Sequence, residues 1–141
     1  MSLEYSEHIL IYRPPLSYID PGQVVYNGRY LDIYNYVRDE YMRDIGYTYL
    51  KLNSENHMHL AVVEANLKFR MPLLYDEKTE IFTRVEKIGI KSINFSHKIY
   101  KDDRKVLCNE AKFTLVCIGA SFKSEPLPEE FKQAIKRGPL K

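Results

Sequence analysis

Residues 20–46 begin Asp20-Pro21-Gly22-Gln23-Val24-Val25-Tyr26-Asn27-Gly28-Arg29-Tyr30 and continue LDIYNYVRDEYMRDIG. Turn-forming residues open this stretch, and an amphipathic pattern follows them. Apolar side chains recur at spacings of three and four residues and mark one helix face: Tyr30, Ile33, Tyr34, Val37, Tyr41 and Ile45. Polar side chains take the other face: Asp32, Asn35, Arg38, Asp39 and Arg43. The pattern predicts one amphipathic helix, with Asn27 as its N-cap and Gly46 as the C′ glycine that ends it.

Extended segments surround this helix. Ile9–Tyr12 predicts a short opening strand that breaks at Pro14-Pro15 and resumes over Leu16–Ile19. The segment 47–58 carries no clear pattern, and Pro128–Lys136 predicts a short surface helix. Four longer strands are predicted at Ala61–Met71, Thr79–Ile88, Ile90–Tyr100 and Lys105–Ile118, with a hairpin turn at Lys101–Arg104.

The first long strand alternates, with Ala61, Val63, Ala65, Leu67, Phe69 and Met71 on one face. The connections between the four strands are too short for crossover helices, so the strands must run antiparallel. One apolar helix face and one apolar sheet face bury each other when the helix lies on the sheet. The 141 residues therefore predict a single α+β domain, residues 1–141.

Composition narrows the function classes. A net charge of +2 gives no reason to expect a nucleic-acid partner. No apolar run approaches the length that spans a bilayer, and the first residues lack the pattern of a signal peptide. If Cys108 and Cys117 share one strand, they lie about 30 Å apart, too far for a disulfide. We therefore expect free thiols, no membrane insertion and a cytoplasmic location.

The segment Asp20–Tyr30 and the helix after it resemble the signature of the 4-hydroxybenzoyl-CoA thioesterase family, which includes thioesterases associated with the Tol-Pal system. A second match follows downstream: Leu67-Lys68-Phe69-Arg70-Met71-Pro72, Asp76, Val85, Gly89, Lys91-Ser92 and Phe95. The resemblance spans roughly Tyr12 to Leu127. It implies the hot-dog fold, a long central helix wrapped by a curved antiparallel sheet of about five strands. It also implies homodimers or homotetramers, with active sites at the interface between subunits.

The resemblance also implies a site and a reaction. Asp20 becomes the catalytic carboxylate of an acyl-CoA thioesterase, acting as nucleophile or general base, and the backbone amide of Asn27 becomes the oxyanion donor. Gly28 permits a close approach to that amide. Coenzyme A is part of the substrate, and no separate cofactor or metal is expected. The residues expected to bind substrate are Gln23, Val25, Tyr26, Gly28, Tyr30, Lys91 and Ser92.

Two departures from the family pattern leave alternatives open. Asn27 stands where many relatives carry His, and Gln23 replaces a residue that is usually Gly or another small one. A non-catalytic hot-dog protein that binds an acyl group or CoA is therefore an alternative, as is a thioesterase that takes acyl carrier protein as donor. A hot-dog dehydratase ranks third, because the loop holds no His.

Three histidines need no functional role. The pair His57 and His59 lacks a third metal ligand at a fitting spacing. His97 alternates onto an apolar strand face, where we expect a hydrogen-bonded core residue.

Overall fold

A computed structural model describes residues 5–140 of the chain as one five-stranded antiparallel sheet and three helices. The order of the strands across the sheet is β1-β3-β4-β5-β2. In chain order the elements are β1 (His8–Tyr12), α1 (Tyr30–Asp44), α2 (Tyr49–Asn56), β2 (His59–Phe69), β3 (Thr79–Ile88), β4 (Ser92–Lys101), β5 (Val106–Ile118) and α3 (Glu129–Arg137). The predicted α+β architecture is confirmed. No helix within residues 5–140 is both long and apolar enough to cross a bilayer.

The central helix α1 lies on the inner face of the sheet. All six residues of its predicted apolar face are buried, and the Tyr41 ring meets Phe95 of β4 edge-on at 5.5 Å between centroids. Gly46 has a φ of 80°, which confirms it as the left-handed residue that ends the helix. The prediction for Asn27 as N-cap is wrong. Asn27–Arg29 form a 3-10 turn in front of α1, and no side chain caps either element.

Arg38 is a second correction on α1. We placed it on the polar face, but it is only 6% exposed. Its guanidinium lies between the helix and the sheet, 4.1 Å from the centroid of the Phe113 ring. The helical period allows this position, because Arg38 follows Tyr34 by four residues and shares its face.

The strands β3, β4 and β5 lie within a few residues of their predicted ranges, and buried and less buried side chains alternate along them. Their inward residues pair across the sheet, for example Val85 with Phe95 and Phe95 with Phe113. In β2 a register shift between Val62 and Glu64 changes the faces. The inner face of β2 is therefore formed by the residues that pair with buried β5 side chains: Leu60, Val62, Ala65, Leu67 and Phe69. Ala61 and Val63 do not belong to this face, although the sequence pattern predicts that they do.

One local prediction fails, and one helix was not predicted. Leu16–Tyr18 form a 3-10 turn and do not continue the opening strand. The segment without a pattern contains α2, which Thr48 caps by accepting a hydrogen bond from the Lys51 amide at 3.0 Å. Only Leu52 of α2 is buried, so the helix shows no apolar stripe that sequence reasoning could detect.

The C-terminal helix α3 has a buried side, formed by Phe131, Ala134 and Ile135. The Phe131 ring stacks on Tyr47 at 4.9 Å between centroids, so α3 covers the chain beyond the end of α1. Cys108 and Cys117 are buried free thiols, as predicted.

Candidate active site

A small hairpin carries Asp20 towards the start of α1. The amide of Tyr26 donates to the carbonyl of Tyr18 at 2.9 Å, and Ile19 forms an antiparallel bridge with Val25. The amide of Asp20 donates to the Val24 carbonyl at 2.9 Å. The chain thus turns back past Asp20 immediately before the 3-10 turn that leads into α1, and one short segment holds the carboxylate and the helix start.

The Asp20 carboxylate is half-buried and held on one side only. Its Oδ1 accepts a hydrogen bond from the Gly22 amide at 2.8 Å, which is an Asx-turn. A Cβ atom at Gly22 would lie 3.1 Å from that oxygen, so the missing side chain keeps the turn open. Among residues 5–140, Oδ2 has no hydrogen-bond partner. One oxygen is therefore fixed and the other is available for chemistry.

Gln23 closes the turn in a left-handed conformation. Its φ is 67°, and its amide donates to the Asp20 carbonyl at 2.9 Å. Residues with a Cβ are strained at positive φ, which explains why a small residue or Gly suits this position. The backbone keeps the turn despite the exposed glutamine side chain.

The start of the helix presents free amides. In the part of the chain that the structure describes, the N–H groups of Asn27 and Gly28 have no hydrogen-bond acceptor, and both residues are exposed. The Tyr26 ring covers Gly28 closely, because a Cβ atom there would lie 2.7 Å from the ring. The first amides of a helix carry partial positive charge, so this end of α1 suits a developing negative charge.

Two of the expected binding residues lie in the core. Val25 is buried, and its amide donates to the Leu73 carbonyl at 2.9 Å. Tyr30 is buried and meets Phe69 edge-on at 5.1 Å between centroids. Burial raises the pKa of the Tyr30 phenol, which therefore stays neutral. Both residues anchor the hairpin and the helix start, and their contact with substrate stays a prediction.

Lys91 and Ser92 lie far from this hairpin in the single chain. They belong to the turn between β3 and β4, where the Gly89 amide donates to the Ser92 carbonyl at 2.8 Å. β3 begins at Thr79, which pairs with Tyr12 just before the hairpin, and ends beside the turn. A strand of this length spans about 33 Å, so one chain does not bring Lys91 to Asp20.

Sequence reasoning missed a polar cluster under the sheet. His97 is buried as predicted and bonds Thr83 Oγ1 through Nδ1 at 2.9 Å. Its Nε2 lies 3.2 Å from Nη1 of Arg38, and burial together with that cation holds the pKa of His97 well below its usual range. Burial also lowers the pKa of Arg38 to about 10. The signal available in the sequence was Arg38 itself, a cation in register with Tyr34 on the apolar face.

Known proteins share sequence similarity with this chain. The profile described as the thioesterase-like superfamily matches residues 14–135, which include the hairpin, α1 and all four long strands. The acyl-CoA thioester hydrolase YbgC of Escherichia coli O6:H1 is 29% identical over 119 residues, 81% of this chain and 87% of that protein.

Solved structures repeat the architecture. The DHNA-CoA thioesterase of Staphylococcus aureus aligns with a TM-score of 0.85 at 21% identity, over 93% of this chain and 89% of that one. A Staphylococcus aureus protein solved in complex with CoA aligns with a TM-score of 0.84 at 14% identity, over 97% of this chain and 86% of that one. At such identities these likenesses concern the fold, and they confirm the predicted hot-dog architecture.

Proposed function

Because the chain belongs to the thioesterase-like superfamily, we propose that it is an acyl-CoA thioesterase, which hydrolyses an acyl-CoA thioester to the free acid and CoA. One observation carries the proposal. Within residues 5–140, the hairpin holds a carboxylate with one unbonded oxygen, Asp20 Oδ2, and leads directly to the amides of Asn27 and Gly28, which are unbonded as well. Thioester hydrolysis needs those two functions, a nucleophile or base and an oxyanion donor.

In the proposed reaction the thioester oxygen accepts from the Asn27 amide, and negative charge develops there as the carbonyl carbon is attacked. Asp20 Oδ2 either attacks that carbon, giving a mixed anhydride and the CoA thiolate, or takes a proton from an attacking water. In the first route water then hydrolyses the anhydride. A donor of this kind lowers the barrier by about 2.7–4 kcal/mol in other enzymes.

A second copy of the chain completes the proposed site. β2 is an edge strand with exposed apolar side chains, and Val63 and Phe69 are 59% and 56% exposed. The Phe69 end of β2 lies at the helix start, whereas its His59 end lies near the turn that holds Lys91. Two β2 strands paired antiparallel about a two-fold axis bring Lys91 of the partner subunit towards Asp20. There the lysine and Ser92 meet the CoA phosphates.

The proposal is therefore a homodimer or a homotetramer of such dimers in the cytoplasm. The two buried thiols favour a reducing compartment. No membrane or nucleic-acid partner is part of the proposal.

Release of free thiol from short, long and aromatic acyl-CoAs tests the function, with acyl carrier protein thioesters as a separate arm. Asp20→Asn is the sharp variant, because Asn keeps the side-chain oxygen that bonds Gly22 but loses the carboxylate. We expect its kcat to fall about 10²–10⁴-fold. Asp39→Asn, on the exposed side of α1, is the matched control and keeps its activity.

Full activity in Asp20→Asn contradicts the role of this carboxylate. The strained Gln23 and the Asn27 in place of His favour one other function, a non-catalytic protein that binds CoA or an acyl group. Tight CoA binding without turnover across the whole panel would establish that alternative.

A further inference from the structure

Arg38 is a buried cation in the middle of α1. Its Nη2 donates to Asn35 Oδ1 at 2.6 Å, and its Nη1 donates to His97 Nε2 at 3.2 Å. Arginine can only donate, so Nε2 accepts and the His97 proton lies on Nδ1, which donates to Thr83 Oγ1. Both partners of the guanidinium are therefore neutral.

No carboxylate compensates this charge within residues 5–140. Arg38 forms no ion pair there, although the same residues form ten other pairs. Two of its five N–H groups have the partners described above, and the other three have none in this part of the chain. Burying a cation without a counter-ion is costly, and strongly perturbed charged groups cluster at functional sites.

An apolar seam runs from the helix start towards Arg38. Its floor is the inner face of β2 next to α1, where Ala65 and Phe69 are exposed and Leu67 is half-buried. At one end Phe69 meets Tyr30 in the first turn of the helix. At the other end Ala65 pairs with Phe113, the ring over which the Arg38 guanidinium lies.

Two independent distances give the length of this seam. Eight residues of helix separate Tyr30 from Arg38, which is about 12 Å along the axis. Four residues of strand separate Phe69 from Ala65, which is about 13 Å. The seam is apolar along its floor and ends at a cation, so it matches a chain of several methylene groups that carries an anion at its far end.

We infer that this seam binds the acyl group of the substrate and that Arg38 binds a carboxylate at the distal end of that group. The substrate class is then the CoA thioester of a medium-length dicarboxylic acid. The inference rests on the proposed function for the position of the thioester at the helix start. A carboxylate fits better than a hydroxyl group, because it supplies the missing counter-charge and accepts two N–H groups of one guanidinium.

The test compares two non-hydrolysable ligands by isothermal titration calorimetry: a carboxyalkyl-CoA thioether and the alkyl-CoA thioether of equal chain length. The wild-type protein should bind the carboxylate ligand at least about tenfold more tightly, equivalent to about 1.4 kcal/mol. Arg38→Met should abolish that preference. Arg43→Met, which removes a 52% exposed cation from the same helix, should retain it. If Arg38→Met does not fold, Arg38→Lys takes its place in the test. Arg38→Lys should reduce the preference for the carboxylate ligand, because the lysine ammonium lacks the planar fork of N–H groups that a guanidinium has.

Equal affinity of the two ligands for the wild-type protein overturns the inference, and so does a preference that survives in Arg38→Met. If the two ligands bind the wild-type protein equally and Arg38→Met no longer has the mass of a dimer, Arg38 pairs with a carboxylate of the partner subunit. That result also overturns the inference. Hydrolysis of the corresponding thioesters separates this inference from the proposed function. If the wild-type protein prefers the carboxylate ligand tenfold but hydrolyses neither thioester, only the proposed function is contradicted. If it hydrolyses both thioesters with equal kcat/KM and binds both ligands equally, only the role of Arg38 is contradicted.

Discussion

The Tyr26 ring covers Gly28 so closely that a Cβ atom at Gly28 would lie 2.7 Å from Cε2 of the ring. Gly28 has an ordinary φ, so the need for glycine here arises from this contact and not from backbone conformation. The ring thereby fixes the chain where the free amides of the helix start are presented.

Gly28→Ala should therefore destabilise the protein by up to about 1 kcal/mol, because the new methyl group must displace the Tyr26 ring, which is 55% exposed and can turn aside. Tyr26→Ala combined with Gly28→Ala should recover part of that loss. Denaturant unfolding of both single variants and the double variant gives the coupling free energy, which we expect to exceed about 0.5 kcal/mol. Additive losses would show that the ring does not restrict residue 28.

Gln23→Gly should raise the free energy of unfolding by up to about 1 kcal/mol. A side chain at positive φ costs about 1–2 kcal/mol, and the greater freedom of glycine in the unfolded chain offsets part of the gain. Gln133→Gly, within α3, is the control and should lower stability by about 1 kcal/mol. Losses of equal size at both positions would mean that residue 23 carries no strain.

The proposed site, to which two subunits contribute, predicts complementation between two defective variants. Asp20→Asn lacks the carboxylate, and Lys91→Glu should weaken CoA binding by repelling its phosphates. Co-expressed, they should form mixed dimers in which one of the two sites combines an intact Asp20 with Lys91 of the partner subunit. Thiol release per chain should recover to roughly a quarter of the wild-type value, because about half of the dimers are mixed.

Asp20→Asn co-expressed with Asp20→Ala is the control for that experiment and should show no recovery. Activity of the first mixture no higher than the average of the two variants alone would contradict a site built from both subunits.

Stability should depend on pH through His97. Its folded-state pKa lies well below the unfolded value of about 6.5, so only the unfolded chain takes up this proton as the pH falls through that value. The stabilisation that neutral His97 contributes is therefore complete above about pH 6.5. Below that pH it decreases, by up to about 1.4 kcal/mol of unfolding free energy per pH unit. Other groups titrate as well, which makes a variant comparison necessary.

His97→Gln removes the titration while its amide can accept from Arg38 and donate to Thr83. Thermal unfolding measured between about pH 8 and about pH 5 should show a flatter decline of Tm in the variant than in the wild-type protein. Parallel declines would place the acid sensitivity elsewhere.

Local sequence patterns were sufficient for most of the fold. Strand-forming runs between turn residues located β3, β4 and β5 within a few residues, and the three-and-four spacing located α1 together with its terminal Gly46. These predictions hold because each pattern reflects which side chains of one element face the core. The pattern did not reveal α2, because among its residues only Leu52 is buried. Asn27 begins a 3-10 turn, where the sequence predicts a helix cap.

The sequence by itself determined α1 with its terminal Gly46, the four long strands and their antiparallel direction, since these follow from patterns within one element and from short connections. Only the tertiary structure decided that Arg38 is buried against His97, that β2 leaves its inner face open, and that Lys91 lies at the far end of the sheet from Asp20. The physical reason is that the burial of Arg38 joins residues 59 positions apart and the length of β3 separates Asp20 from Lys91, and no local pattern encodes either relationship.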